Sequence, residues 1–265
     1  MEILYFLVYE DDFLEFRVMK DSIIYVFVFI ALQFVAGWIF ARETQDVTTT
    51  NLVIMMTVFS VLVIGVFLLA GWTVVSPRWL LTKPWGVLTW AVIAAWGMMI
   101  PETWLMERMP ELPNWMESEQ ELLMSDYWGY LAIGLLAPFA EEIVFRGAIL
   151  RSLLGSMRPG SAIVVSALFF SIVHMNPAQM PFALLAGLLQ GWMYWRTGSI
   201  LPGMAYHWAN NSAAYVLYRA YPDVDMKLVD LFKGSELHVY MAVFFSLLIL
   251  LPALYQLHLW MRRAK

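Results

Sequence analysis

The stretch YWGYLAIGLLAPFAEEIVFRGAIL, Tyr127 to Leu150, decides how the rest of the chain is read. It is long enough to cross a bilayer as one helix, since a span takes about 20 mainly apolar residues. Yet it carries Glu141, Glu142 and Arg146 well inside it. Ionisable side chains at bilayer depth are costly and face a bundle interior or a cavity rather than lipid. Further along, His174 and then His207 with Asn210 and Asn211 interrupt later apolar segments in the same way. Repeated polar insertions of this kind predict one buried site built by several helices.

Composition sets the environment. The chain has 265 residues, 61% hydrophobic and 14% charged, with a mean hydropathy of +0.67. These values are more apolar and less charged than a soluble domain of this size. The reading is an all-α, polytopic transmembrane helix bundle, a single integral-membrane domain over residues 1–265. There is no cysteine, which excludes disulfides, thiolate metal ligands and a cysteine nucleophile. The net charge is -5, with the acidic residues gathered in Glu10 to Asp21 and Glu102 to Asp126, so no nucleic-acid partner is expected.

Scanning for apolar runs predicts about eight spanning helices: Ser22 to Phe40, Leu52 to Val75, Trp85 to Trp104, Tyr127 to Leu150, Ala162 to His174, Phe182 to Trp195, Leu201 to Tyr218 and Val239 to Leu257. The fifth and sixth are short and joined by MNPAQMP, Met175 to Pro181, so a thinned bilayer or a partly re-entrant path is open there. Met1 to Lys20 lacks a basic leader and is rich in acids. It reads as a retained segment, an amphipathic helix lying on the membrane surface. If all eight span, Arg17, Lys20, Arg78, Lys83, Arg146, Arg151, Arg158, Arg196, Arg262, Arg263 and Lys265 fall on one side. The rule that cytoplasmic loops carry the excess of Lys and Arg then places both termini in the cytoplasm of a multi-pass cell-membrane protein.

Depth brings the polar clusters together. At about 1.5 Å per residue, Glu141 lies roughly 21 Å from the outer end of its helix. His174 rises roughly 20 Å from the inner level, and His207 and Asn211 roughly 12 and 18 Å. All fall in one slab, and residues 127–220 form the core that holds it. Glu142 and Arg146, an i, i+4 pair with the acid first, can neutralise each other. Glu141 is about 100° around the helix and is left for another neighbour. His207 and Asn211 share a helix face and can donate to one oxygen. Pro138, one turn before Glu141, should loosen the backbone ladder there.

Several chemistries compete for such a set. The polar residues could simply tie helices together, but that needs no second, unpaired Glu beside a paired one. Glu141, His174 and His207 could form a three-ligand zinc site, although no local ligand pair such as His-Glu-x-x-His occurs. A non-catalytic membrane binding or immunity protein, or a small transporter, would use the same pocket for a peptide or ion.

Taken as motifs, Glu141-Glu142-Ile143-Val144-Phe145-Arg146 fits EExxxR, Phe170 to His174 fits FxxxH, and His207 to Asn211 fits HxxxN. In this order on successive membrane helices, over about Ala137 to Ser212, they resemble the signature of the CPBP family: CAAX proteases and bacteriocin-processing enzymes, also called the type II CAAX endopeptidase or Abi family. The resemblance implies an intramembrane glutamic endopeptidase acting on a membrane-associated peptide or protein, with no cofactor or metal. By matching position it implies that Glu141 activates water with help from His174 and that His207 and Asn211 form the oxyanion hole. Glu142 and Arg146 would be supporting residues.

The expected topology is checked by tagging each terminus and probing its accessibility from either side of sealed vesicles. Both tags should be reached only from the cytoplasmic side, and one found outside would break the span assignment and the depth argument with it.

Overall fold

Helix starts and stops are written locally in this chain. Thr48, Asp126 and Ser235 each turn a side-chain oxygen back onto a backbone N–H of the following helix, as at Thr48 Oγ1 with Asn51 N (3.3 Å) and Asp126 Oδ1 with Trp128 N (2.8 Å). These caps satisfy donors that a helix leaves free at its first turn. Pro159, Pro181 and Pro202 stand in first turns, where a missing N–H costs nothing. Gly198 ends a helix at φ 64, the left-handed conformation that glycine adopts without strain.

The computed structural model describes residues 2–43, 47–73, 84–222 and 227–261, without the side chains of residues 2–18 and 41–43. The described residues contain helices and no strand. In chain order the helices are α1 (Glu2–Glu43), α2 (Thr49–Leu69), α3 (Trp85–Met106), α4 (Glu117–Met124), α5 (127–153), α6 (Pro159–Ile172), α7 (Met180–Thr197), α8 (Leu201–Ala220), α9 (Leu228–Leu231) and α10 (Glu236–Trp260). Each expected span overlaps one of these helices, but the second, expected to reach Val75, ends at Leu69 with Val74 and Val75 outside the described residues, and the fifth, expected to reach His174, ends at Ile172; the short helices α4 and α9 add to them. Met19–Phe40, Thr49–Leu69 and Glu236–Trp260 are long and apolar enough to cross a membrane, and α6 is apolar over a shorter length. The backbone of α1 runs unbroken from Glu2 into the first of these spans. The membrane-surface placement expected for the side chains of residues 1–20 lies mostly outside the described residues. So do the side chains of Arg17, Arg78, Lys83, Arg262, Arg263 and Lys265, on which the expected orientation partly rests.

Large apolar side chains such as Phe27, Phe34, Trp38, Phe244 and Leu248 are exposed on the outside of the bundle, where lipid would cover them. Inside, two packed clusters flank the polar residues. One joins α1, α2, α5 and α6 through rings, with Phe29 against Phe59 and Phe145, and Phe145 against Phe170. The other joins α3, α8 and α10 through small residues, Ala91, Ala94 and Ala95 against Tyr206, Ala253 and Leu257. α3 and α10 approach so closely that a Cβ on Gly97 would meet the backbone of Leu250. Close backbone approach over small residues is a main source of packing energy between membrane helices. α7 serves both clusters, giving Tyr194 to the first and Met193 to the second.

α5 departs from regular helix. Its hydrogen bonding widens from four residues to five over Leu131–Leu136 and again over Ile143–Leu150, either side of an ordinary segment, Ala137–Glu142. Wide turns inside α-helices often mark functional sites, because they re-aim side chains and alter which carbonyls have a backbone partner. Here side chains from elsewhere add bonds to carbonyls of the second wide stretch: Thr73 Oγ1 donates to Ile143 O (3.0 Å) and Ser166 Oγ to Phe145 O (3.0 Å). Gly147 makes room for the first bond, since a Cβ there would collide with the Thr73 hydroxyl.

Gly147→Ala should therefore destabilise the protein by about 1–3 kcal/mol, the usual range for overpacking, although alanine is the better helix former. Gly65→Ala, where a Cβ meets nothing within 4 Å, should be neutral or slightly stabilising. Thermal unfolding of both variants in detergent makes the comparison, and equal effects would remove the steric role of Gly147.

Candidate active site

Arg146 is the centre of the buried polar cluster. It is 1% exposed and its Nη1 lies 2.8 Å from Glu142 Oε1, itself 0% exposed, one turn back on α5. A buried guanidinium needs more than one acceptor, because it carries five N–H donors. Nη2 reaches Gln190 Oε1 and, at 3.5 Å, Gly187 O, both on α7. The face of the guanidinium lies over the Phe170 ring of α6, 4.4 Å from its centroid. One side chain of α5 thus draws α6 and α7 onto itself.

Glu142 is shared with α8. His207 Nδ1 stands 3.5 Å from Glu142 Oε1, and His207 Nε2 stands 3.7 Å from Glu141 Oε2. Gly203, one turn before His207, lets the carboxylate in, for a Cβ there would crowd Glu142 Oε2. The two neighbouring carboxylates therefore differ in kind. Glu142 is closed off and in direct contact with a guanidinium, while Glu141 is 17% exposed and its ion-pair contact is with the His207 imidazole.

His174 sits just beyond α6, half-buried, where the helix has ended and Met175 turns to a positive φ of 48. Its Nδ1 is 2.7 Å from the Phe170 carbonyl oxygen. A carbonyl only accepts, so Nδ1 carries the proton and the neutral ring keeps Nε2 as an acceptor. The Phe170 ring meets both imidazoles edge to face, 4.9 Å from His174 and 5.8 Å from His207, each at 90°. The segment after His174 is held as well: the buried Asn176 donates to Asn114 Oδ1 (2.7 Å) and accepts from Trp115 N (3.1 Å).

Asn211 lies one turn beyond His207 on α8. Its Nδ2 donates to Ile133 O of α5 at 2.9 Å, and the amide has a second N–H to offer. Close by, the Tyr130 hydroxyl pairs with Ser212 Oγ (3.0 Å) and accepts from Trp208 Nε1 (3.2 Å), closing the seam between α5 and α8. Asn210 has no side-chain hydrogen bond among the described residues. Nor is any group of three or more His, Asp or Glu side chains among them disposed to hold a metal ion.

The structure brings Glu141, Glu142, Arg146 and His207 into direct contact and reaches His174 through the Phe170 ring. Asn211 meets α5 two turns before Glu141. At this point comparison with known proteins decides the class. Residues 123–213 match the family described as type II CAAX prenyl endopeptidase, Rce1-like. These residues are a Rce1-like domain of the CPBP family. No curated protein and no solved structure matches the chain. The Rce1-like domain covers α5 through the first part of α8, the elements that supply every residue of the cluster. The family implies a protease, and together with the apolar helices it points to a membrane location.

Sequence reasoning passed over Gln190, Gly203 and the contacts of Phe170. Gln190 was within reach: a lone amide in the run ALLAGLLQGWMYW is as costly in an apolar segment as the histidines are. Gly203 was not, because only the distance between two helices gives a missing Cβ its meaning.

Glu142→Ala and Arg146→Ala should each lower stability by about 3–5 kcal/mol, since each strands a buried charge. The double variant should lose less than the sum of the two, as members of one network do not add. Thermal unfolding of the three proteins measures both points, and strict additivity would mean that the pair is not coupled.

Proposed function

We propose that this protein is an intramembrane endopeptidase that hydrolyses a peptide bond of a membrane-associated peptide or protein with water activated by Glu141. The observation that carries the reading is the asymmetry of the two carboxylates: Glu142 is buried against Arg146, while Glu141 is partly open and makes its ion-pair contact with His207. A base must have a free lone pair and access to water, for which the partly exposed Glu141 is better placed than the fully buried Glu142. His174, with its proton held on Nδ1 by the Phe170 carbonyl, offers Nε2 as a second acceptor for the same water.

In the reaction, Glu141 takes a proton from water as the oxygen adds to the scissile carbonyl. The oxyanion that forms is met by the free N–H of Asn211 and by the Nε2 edge of His207, donors aimed at a charge that develops only in the transition state. The proton held by Glu141 then passes to the leaving nitrogen, which departs as an amine and leaves a carboxylate. Glu142 and Arg146 hold His207 and α5 in place. The chain crosses the membrane eight times with both ends cytoplasmic, so that α5, α6 and α8 carry these groups at one depth. Substrates of the kind named for the family, prenylated CAAX tails, are the first class to try.

Purified protein reconstituted in liposomes should cleave some member of a panel of membrane-anchored peptides that includes a farnesylated CAAX peptide. Glu141→Gln and His174→Ala should each lower cleavage by at least about 100-fold, the scale of general-base catalysis, with unchanged thermal unfolding. Activity retained in Glu141→Gln would remove the proposed base. Metal analysis with chelation and add-back separates the chemistry further. Stoichiometric zinc whose removal ends cleavage and whose return restores it would make Glu141, His174 and His207 ligands instead.

A further inference from the structure

The carbonyl that holds Asn211 is free for a reason that lies three residues before Glu141. Over Leu131–Leu136 the ladder of α5 runs at five residues, and the Ala137 N–H donates to Ala132 O. With Ala137 spent on Ala132, the next donor in this wide register for Ile133 O would be the N–H of residue 138. Residue 138 is proline and has none. Ile133 O is thus left without a backbone donor inside an apolar bundle, where a bare carbonyl is expensive and a neighbouring side chain is the usual remedy. Asn211 Nδ2 supplies the bond at 2.9 Å.

We propose that Pro138 is a positioning residue for Asn211: by denying Ile133 O its backbone partner, it creates the acceptor that holds the Asn211 amide against α5. An asparagine side chain has two rotatable bonds and an amide that can turn over. With one N–H held by Ile133 O, the orientation of the other N–H is set, and a donor for an oxyanion must be set before the charge appears. The consequence for cleavage rests on the proteolytic reading above, whereas the consequence for the amide does not.

The test uses Pro138→Ala, which restores an N–H able to compete for Ile133 O. The chain has five asparagines, Asn51, Asn114, Asn176, Asn210 and Asn211, so selective ¹⁵N-asparagine labelling in detergent yields few side-chain amide pairs, and loss of one pair in Asn211→Ala identifies it. In the wild type one proton of that pair should be shifted downfield by the bond to Ile133 O, and in Pro138→Ala it should move upfield and exchange faster with water. Cleavage of whichever panel peptide the wild type accepts should show kcat reduced roughly ten- to a hundredfold with KM unchanged. On an Asn211→Ala background, Pro138→Ala should have no further effect on kcat.

An Asn211 amide unmoved by Pro138→Ala overturns the proposal, as does an equal loss of kcat on both backgrounds, which would place the effect elsewhere. If no peptide is cleaved by the wild type, the proteolytic reading fails while the amide resonance still decides the positioning. Should Pro138→Ala not accumulate as folded protein, Pro138→Ser restores the same N–H and is read in the same way.

Discussion

A guanidinium buried in an apolar helix bundle is the constraint on which the other site contacts depend. Arg146 cannot be neutralised by one carboxylate and left at that, because its remaining donors would be stranded where no water reaches. Glu142 takes one edge, Gln190 and Gly187 of α7 face another, and the Phe170 ring of α6 covers its flat side. Surrounding one side chain with a carboxylate, two acceptors and a ring therefore specifies how α5, α6 and α7 meet. Since Glu142 also faces His207 and is admitted by Gly203, α8 is placed by the same demand.

The irregular helix α5 supplies the second half of the arrangement. A straight α-helix consumes nearly all of its own carbonyls and has none to spare for its neighbours. In the wide turns of α5, Ile133, Ile143 and Phe145 nevertheless accept from side chains elsewhere, Asn211, Thr73 and Ser166. Backbone oxygens thus act as fixed points for side chains on other elements, and each bond is short of water and correspondingly firm. Irregular backbone is tolerated inside a membrane protein where other parts of the protein satisfy it, which is the situation on both sides of the Glu141-Glu142 pair.

This division suits a reaction that needs one group closed and one open. A carboxylate paired with a guanidinium is a structural anion, and a carboxylate beside an imidazole at the edge of the cluster is available to a proton. Adjacent residues on one helix differ by about 100° in direction, enough for the two to face different surroundings. The histidines are likewise unequal. His174 has its tautomer set by a carbonyl of its own helix, and His207 has both nitrogens turned toward carboxylates.

Much of this was legible in the chain by itself. Apolar run lengths located the long helices, because the bilayer and the backbone hydrogen bond leave few alternatives. The cost of charge in such runs picked out Glu141, Glu142, Arg146, His174, His207 and Asn211, and the i, i+4 spacing paired Glu142 with Arg146. The wide register of α5 was not legible beyond the hint of Pro138, since it depends on which neighbours offer donors to its carbonyls. Nor could spacing show that Asn211 bonds Ile133, that Gln190 backs Arg146, or that Phe170 stands between two imidazoles. Periodicity reports which face of a helix a residue occupies, and these contacts depend on how far apart two helices lie. That distance is decided only when Gly97, Gly147 and Gly203 let their neighbours approach and the buried charge draws four helices together.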